Sequence, residues 1–142
     1  MSKADKILSV VREWIWKAET DMKSPVYLLE RKEDCPADSV CFHAQQCVEK
    51  YLKAFLVLSA GEFPKTHNLK ELVSLLPSGA RVSLAVAEQD RLTEYATVTR
   101  YPGDYEPIPV AEARKAVSIA RRVRRGMRKL FPRAALRRRR KC

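Results

Sequence analysis

Apolar residues recur at intervals of three, four and seven along most of the chain. Near the N-terminus they form one stripe, which consists of Ile7, Val11, Trp14, Ile15, Ala18 and Met22. Such spacing places side chains on one face of an α-helix. The pattern predicts a first helix over about residues 4–31. Pro25 should kink or split it, because proline lacks a backbone donor and clashes with the preceding turn.

Four further helices are predicted from the same periodicity and from turn residues. A second helix over about residues 37–60 should end at Gly61, where a left-handed residue closes the last turn. A short third helix over 69–76 has Asn68 and Glu71 in the positions of a capping box. A fourth over 82–101 must end at Pro102, and a fifth begins at Pro109 and runs to about residue 130.

The arrangement of these helices follows from what the sequence lacks. It shows no useful β-type alternation and contains only four glycines. Short connections make neighbouring helices antiparallel, and their apolar stripes can be buried only against each other. We therefore predict an all-α, up-and-down antiparallel bundle of four long helices and one short helix over residues 1–131. A basic tail, predicted to be disordered, follows over residues 132–142.

Positive charge is concentrated at the C-terminal end of the 142-residue chain. Twelve of its 28 Lys and Arg residues lie within residues 121–141, which contain no Asp or Glu. The remaining bases nearly balance the seventeen acids, so the net charge of +11 belongs to this end. A basic block attracts phosphate groups, although an acidic protein is an alternative partner. Its densest part is Arg137, Arg138, Arg139 and Arg140.

Composition also excludes several classes of protein and site. No apolar run has the length of a membrane span or of a signal peptide, so we expect no membrane association and a cytoplasmic location. Cys35, Cys41, Cys47 and Cys142 fit no zinc or redox spacing. Neither a metal site nor a cofactor is predicted.

Four polar residues share one side of the second helix, because they are spaced by three and four: Gln46, Glu49, Lys50 and Lys53. This strip is either a solvated face or the lining of a binding groove. Trp16 lies about 200° around the first helix from Trp14 and cannot share its apolar stripe. We expect it to be exposed at an interface. His67 precedes the third helix, where a histidine either packs locally or contacts a ligand.

Three short motifs together resemble the HEPN domain (higher eukaryotes and prokaryotes nucleotide-binding). They are A-x-Q-x-x-E-K-x-x-K from Ala44, H-x-L from His67 and R-Y-P from Arg100. The resemblance covers about residues 6–125. It implies a helical bundle that usually forms a homodimer. It also implies a partner of the minimal nucleotidyltransferase (MNT) type, in a prokaryotic toxin–antitoxin or defence pair.

Many HEPN proteins are metal-independent ribonucleases with an Arg followed four to six residues later by a His. Here Arg100 carries over, but Tyr105 stands at one of the His positions and no histidine follows. A phenol is a poor general base at neutral pH. The resemblance therefore favours a module that binds RNA or a nucleotide, and whether it is an enzyme stays uncertain. The expected binding residues are Gln46, Glu49, Lys50, Lys53, His67, Arg100, Tyr101 and Arg137–Arg140.

Two alternatives remain open. One is a divergent ribonuclease toxin that uses Arg100 with Tyr105, or with His43 or His67. The other is a purely structural interaction partner, in which the polar strip is only solvated surface.

Overall fold

The structure, a computed structural model, describes residues 1–97 and 106–137, and these form helices joined by short loops, with no strand among them. The prediction of an all-α bundle is confirmed. The α-helices are α1 (Lys3–Leu29), α2 (Ala37–Ala60), α3 (Leu69–Ser74), α4 (Val86–Thr97) and α5 (Val110–Arg128). Short 3₁₀ helices cover Lys32–Asp34 and Arg133–Leu136.

Local polar contacts set several helix ends. Ser2 and Asp5 form a capping box at α1, since Asp5 N–H donates to Ser2 Oγ at 3.1 Å and Ser2 N–H to Asp5 Oδ2 at 3.2 Å. Gly61 ends α2 with a φ of 80°, as predicted. At α3, Asn68 Oδ1 accepts from the N–H of Lys70 at 3.0 Å and of Glu71 at 3.4 Å, so its predicted capping role is confirmed.

Two predicted features differ from the structure. First, of the two effects predicted for Pro25, the split does not occur: α1 continues through Pro25, whose side chain is buried, while the kink stays a prediction. Packing of the apolar stripe against the core holds the helix together although one backbone bond is missing. Secondly, α4 begins at Val86 instead of about residue 82, because Glu88 Oε1 accepts from Ala85 N–H at 3.0 Å and so closes the first turn there.

The core is centred on α2, which packs against the four other α-helices. Successive α2 residues meet α1 residues in reverse order: Lys50 contacts Asp21, and Lys53 lies over Trp14. The two helices are therefore antiparallel. Fully buried large side chains include Val11, Val48, Tyr51, Leu52, Leu56, Leu69, Leu72, Leu92, Val117 and Met127.

The C-terminal segment differs in part from the predicted tail. Residues Arg133–Leu136 form a 3₁₀ helix, Ala135 is buried, and Arg12 Nη1 donates to the carbonyl of Ala134 at 3.3 Å. The predicted disorder followed from charge alone and did not allow for the apolar surface that Ala135 buries against the bundle. The rest of the expected tail, residues 138–142, lies outside the described residues.

Candidate functional site

The predicted polar strip of α2 divides into a buried and a half-buried part. Glu49 is 2% exposed and Lys53 is 7% exposed, whereas Gln46 and Lys50 are half-buried. The prediction that all four residues form one accessible surface is therefore wrong for Glu49 and Lys53. Helix α1 and the segment after α2 pack over this part of the helix, so the two charges need partners inside the protein.

Glu49 supplies the charge around which the buried part is organised. Its Oε2 accepts from Lys53 Nζ at 3.0 Å, and its Oε1 accepts from Gln45 Nε2 at 3.0 Å and lies 2.8 Å from His67 Nδ1. Gln46 Nε2 donates to Gln45 Oε1 at 2.7 Å and extends the network outward.

The ammonium of Lys53 also lies beside two aromatic rings. It is 5.8 Å from the ring centre of Trp14 and 5.2 Å from that of Phe63, distances at which a cation is attracted to a ring. The predicted core residue Trp14 is half-buried and packs edge-on against Phe63. Lys53 is thus held by Glu49 and by both rings.

A second carboxylate, Asp21 of α1, holds the half-buried part of the strip. Its Oδ1 lies 2.8 Å from His43 Nδ1, and its Oδ2 accepts from Lys50 Nζ. Asp21 is buried, while the imidazole of His43 is 30% exposed. Sequence spacing did not point to Asp21 or Gln45 as site residues, because each is placed by tertiary packing. The α2 polar cluster comprises Asp21, His43, Gln45, Gln46, Glu49, Lys50, Lys53 and His67.

Both histidines of the cluster share one arrangement. In each, Nδ1 lies 2.8 Å from a buried carboxylate. Because an ionised carboxylate only accepts, Nδ1 is the nitrogen that carries a proton in this contact, and Nε2 is the nitrogen that can accept when the ring is neutral. His43 is half-buried, and the side chain of His67 is 59% exposed. Across residues 1–97 and 106–137, every buried side-chain N or O atom has a hydrogen-bond partner. The exposed atoms of the cluster can therefore contact a ligand without disturbing its buried floor.

On the other flank of α1, Glu19 organises a separate ion-pair cluster. It accepts from Arg124 Nε and Nη2, each at 2.6 Å, from Tyr51 Oη at 2.8 Å and from Arg128 Nη1 at 3.3 Å. Burial alone would raise the pKa of Glu19, but the hydrogen bonds from Arg124 and Tyr51 and the nearby positive charges outweigh it, so this pKa is lowered. Burial also raises the pKa of Tyr51.

The comparison with protein families decides the identity of this bundle. The model of the HEPN domain matches residues 11–130, which is most of the chain and includes the whole α2 polar cluster. The chain belongs to the HEPN domain family. No match was found among curated proteins, and none among solved structures.

For this HEPN domain, several predicted site residues lie outside the part of the chain that the structure describes. These are Arg100, Tyr101, Tyr105, Arg138, Arg139 and Arg140. Arg137 is exposed at the end of the described segment, and Trp16 is 41% exposed on α1. The exposure predicted for Trp16 is confirmed, whereas its role at an interface stays a prediction.

Neither a metal site nor a membrane span is found within residues 1–97 and 106–137. No three His, Cys, Asp or Glu side chains there are grouped so that they could hold a metal ion. None of the described helices combines the length and the apolar character that crossing a bilayer requires.

Proposed function

We propose that this HEPN domain is a cytoplasmic module that binds RNA or a nucleotide at the α2 polar cluster. The carrying observation is that His43 and His67, each held through Nδ1 by a buried carboxylate, lie at the two ends of a cluster whose half-buried members are Gln46 and Lys50. Imidazole nitrogens, an amide and an ammonium can together contact phosphate oxygens and base edges.

Within this proposal Glu49 and Lys53 act as positioning residues. Both are buried and bonded to each other, so a ligand cannot reach them without breaking the pair. Glu49 fixes the ring of His67, and Gln45 connects Glu49 to Gln46. The sequence assigned direct ligand binding to Glu49 and Lys53. In this proposal they instead hold in position the residues that bind the ligand.

The proposed site also includes Arg100 and Tyr101, which belong to the R-Y-P motif of the family resemblance and lie outside the described residues. A guanidinium suits a phosphate because its planar donors bond two oxygens at once.

We also propose a homodimer and a partner of the MNT nucleotidyltransferase type, as in HEPN–MNT toxin–antitoxin or defence pairs. This proposal rests on membership of the family. Light scattering on the purified chain tests the dimer. Where the neighbouring reading frame encodes a nucleotidyltransferase, co-expression of the two proteins tests the pairing. Separate elution of the two proteins would contradict it.

Binding of labelled RNA and of a labelled nucleoside triphosphate tests the ligand site. Arg100→Ala, Gln46→Ala and His67→Ala should each weaken binding by about tenfold or more, the effect of one lost hydrogen bond to a charged group. Lys65→Ala is the control, since Lys65 is an exposed lysine two residues from His67. Equal affinities for all four variants would contradict the site and favour a structural module.

The second candidate function is a ribonuclease, and the two carboxylate–imidazole pairs favour it. An imidazole whose Nδ1–H is held by a carboxylate is suited to accept a proton at Nε2. In this proposal His43 or His67 replaces the missing motif histidine and Arg100 binds the phosphate. Cleavage of RNA by the purified chain tests it. Replacing the acting histidine by alanine should slow cleavage about 10²-fold or more, and Tyr105→Phe tests the tyrosine alternative.

A further inference from the structure

The cations of α5 fall into two sets that the sequence does not distinguish. Arg122 pairs with Glu88, and Arg124 and Arg128 pair with Glu19. The other set consists of Arg114, Lys115, Arg121 and Arg125. All four are exposed, and none has a carboxylate within 4 Å among the described residues. The three arginines are spaced by seven and four, which places them on one stripe of α5.

Helix α1 carries a matching stripe beside them. Trp16, Lys23 and Tyr27 are also spaced by seven and four, so they share one face of α1. Tyr27 is 68% exposed and Trp16 is 41% exposed. Tyr27 lies beside Lys23, Arg121 and Arg125, and an exposed aromatic side chain next to cations is typical of a binding surface.

Lys23 and Tyr27 of α1 and the three arginines of α5 border a groove between the helices. One part, of about 410 Å³, is lined by Lys23, Tyr27, Arg121 and Arg125. A second part, of about 380 Å³, is lined by Arg114 and Leu29 and shares Val26 and Arg121 with the first. The parts therefore adjoin, and we call them together the α1–α5 groove.

The α1–α5 groove carries a positive charge overall. Two carboxylates border the groove. The charge of Glu19 is already matched by Arg124 and Arg128. This leaves Glu30 against Lys23, Arg114, Arg121 and Arg125, which have no carboxylate partner in the part of the chain that the structure describes. The groove thus attracts an anion that is long enough to follow two helix stripes.

We propose that the α1–α5 groove binds single-stranded nucleic acid. Lys23, Arg121 and Arg125 contact successive phosphates, and an unpaired base stacks on Tyr27. Stacking on an aromatic ring requires a base that is not enclosed in a duplex, so the exposed ring favours a single strand. An acidic protein would be attracted by the cations but would make no such use of the ring.

This groove is separate from the α2 polar cluster, and the inference does not depend on that cluster. Asp21 joins the α2 polar cluster, whereas Glu19, two residues earlier, bonds α5. Two residues correspond to about 200° around a helix, so the sites lie on opposite flanks of α1. Substitutions in one leave the side chains of the other in place.

Fluorescence anisotropy of the full chain with a 20-nucleotide oligouridylate, across a range of salt concentrations, tests the electrostatic part. The double variant R121Q/R125Q should bind about 25-fold more weakly at 0.1 M salt, with a salt slope smaller by about 1.4, because each single-strand phosphate contact contributes about 0.7 to that slope. The matched control K65Q/K115Q removes the same charge from exposed lysines elsewhere and should stay within about twofold.

Tyr27 tests the stacking part. Tyr27→Ala should weaken binding at least about fivefold with an unchanged salt slope, while Tyr27→Phe keeps the affinity. Oligothymidylate and a duplex RNA of equal length are measured in parallel. Tight binding of both single strands means that the groove accepts DNA as well as RNA. Tight binding of oligouridylate alone restricts the groove to single-stranded RNA.

Three results would overturn the proposal. The first is wild-type affinity and slope for R121Q/R125Q. The second is equal affinity for the duplex together with no effect of Tyr27→Ala, which would leave a non-specific basic surface. The third is a fall in sedimenting mass of R121Q/R125Q without nucleic acid, which would make the groove an interface between two copies. The loss of oligouridylate affinity caused by R121Q/R125Q should be the same with His67→Ala present as without it, so failure here is distinguishable from failure of the α2 site.

Discussion

Nδ1 of His67 lies 2.8 Å from Oε1 of Glu49, although eighteen residues separate them in the chain. The same carboxylate accepts from Lys53 at 3.0 Å, so one buried acid connects a buried cation with an exposed imidazole. The contact links the middle of α2 to the segment that leads into α3. It couples the stability of the bundle to the position of a proposed ligand-binding residue.

Glu49→Gln should destabilise the protein by about 3 kcal/mol. The substitution keeps the shape of the side chain but leaves the buried ammonium of Lys53 without its counter-charge. Chemical denaturation measures the free energy of unfolding. Glu13→Gln, which changes an exposed acid of α1, is the control and should stay within about 0.5 kcal/mol. An equal effect of both substitutions would contradict the importance of the buried pair.

Arg124→Gln should cost about 1–2 kcal/mol of stability, whereas Arg121→Gln should cost less than about 0.5 kcal/mol. Arg124 donates two hydrogen bonds of 2.6 Å to Glu19, and Arg121 has no carboxylate partner in the described part of the chain. Both residues lie on α5, only three positions apart. Thermal melts of the two variants provide the comparison, and reversed effects would refute the division of the α5 cations into two sets.

Stability should decline in acid partly through Glu19. The pKa of Glu19 is lowered in the folded protein, since bonds from Arg124 and Tyr51 outweigh the effect of burial. A depressed folded pKa means that the stabilisation is present above the unfolded pKa, near 4.5, and is lost as pH falls through the folded value. Unfolding measured between pH 7 and pH 3 should therefore show a shallower loss for Glu19→Gln than for the wild type. Parallel curves would contradict this.

Two glycines should respond in opposite directions to alanine. Gly61 has a φ of 80°, so Gly61→Ala should destabilise by about 1 kcal/mol even though the space is open. Gly126 lies inside α5, where an added Cβ meets nothing within 4 Å. Gly126→Ala should stabilise by about 0.5–1 kcal/mol through helix propensity. The sign of each change in melting temperature is the measurement, and the same sign at both positions would refute the argument.

Most helix boundaries were predictable because they depend on local chemistry. The bounds of α2, the left-handed Gly61 and the cap at Asn68 each follow from a few neighbouring residues. The start of α4 was missed because several first turns fit the sequence equally well. The hydrogen bond from Ala85 N–H to the side chain of Glu88 determines which of them forms. The proposed site was predictable only in part: spacing placed Gln46, Glu49, Lys50 and Lys53 on one side of a helix but did not reveal which of them would be covered.

By itself, the sequence determined the class of fold, the order of the helices and the family, since apolar periodicity and motif order are properties of neighbouring residues. Only the tertiary structure decided which charges are buried, which carboxylate holds each histidine and which α5 arginines have no carboxylate partner within the described residues. Asp21 and Glu19 show the reason. Two residues apart, they bond different helices because packing around α1 gives them different neighbours, and spacing along one chain contains no information about those neighbours.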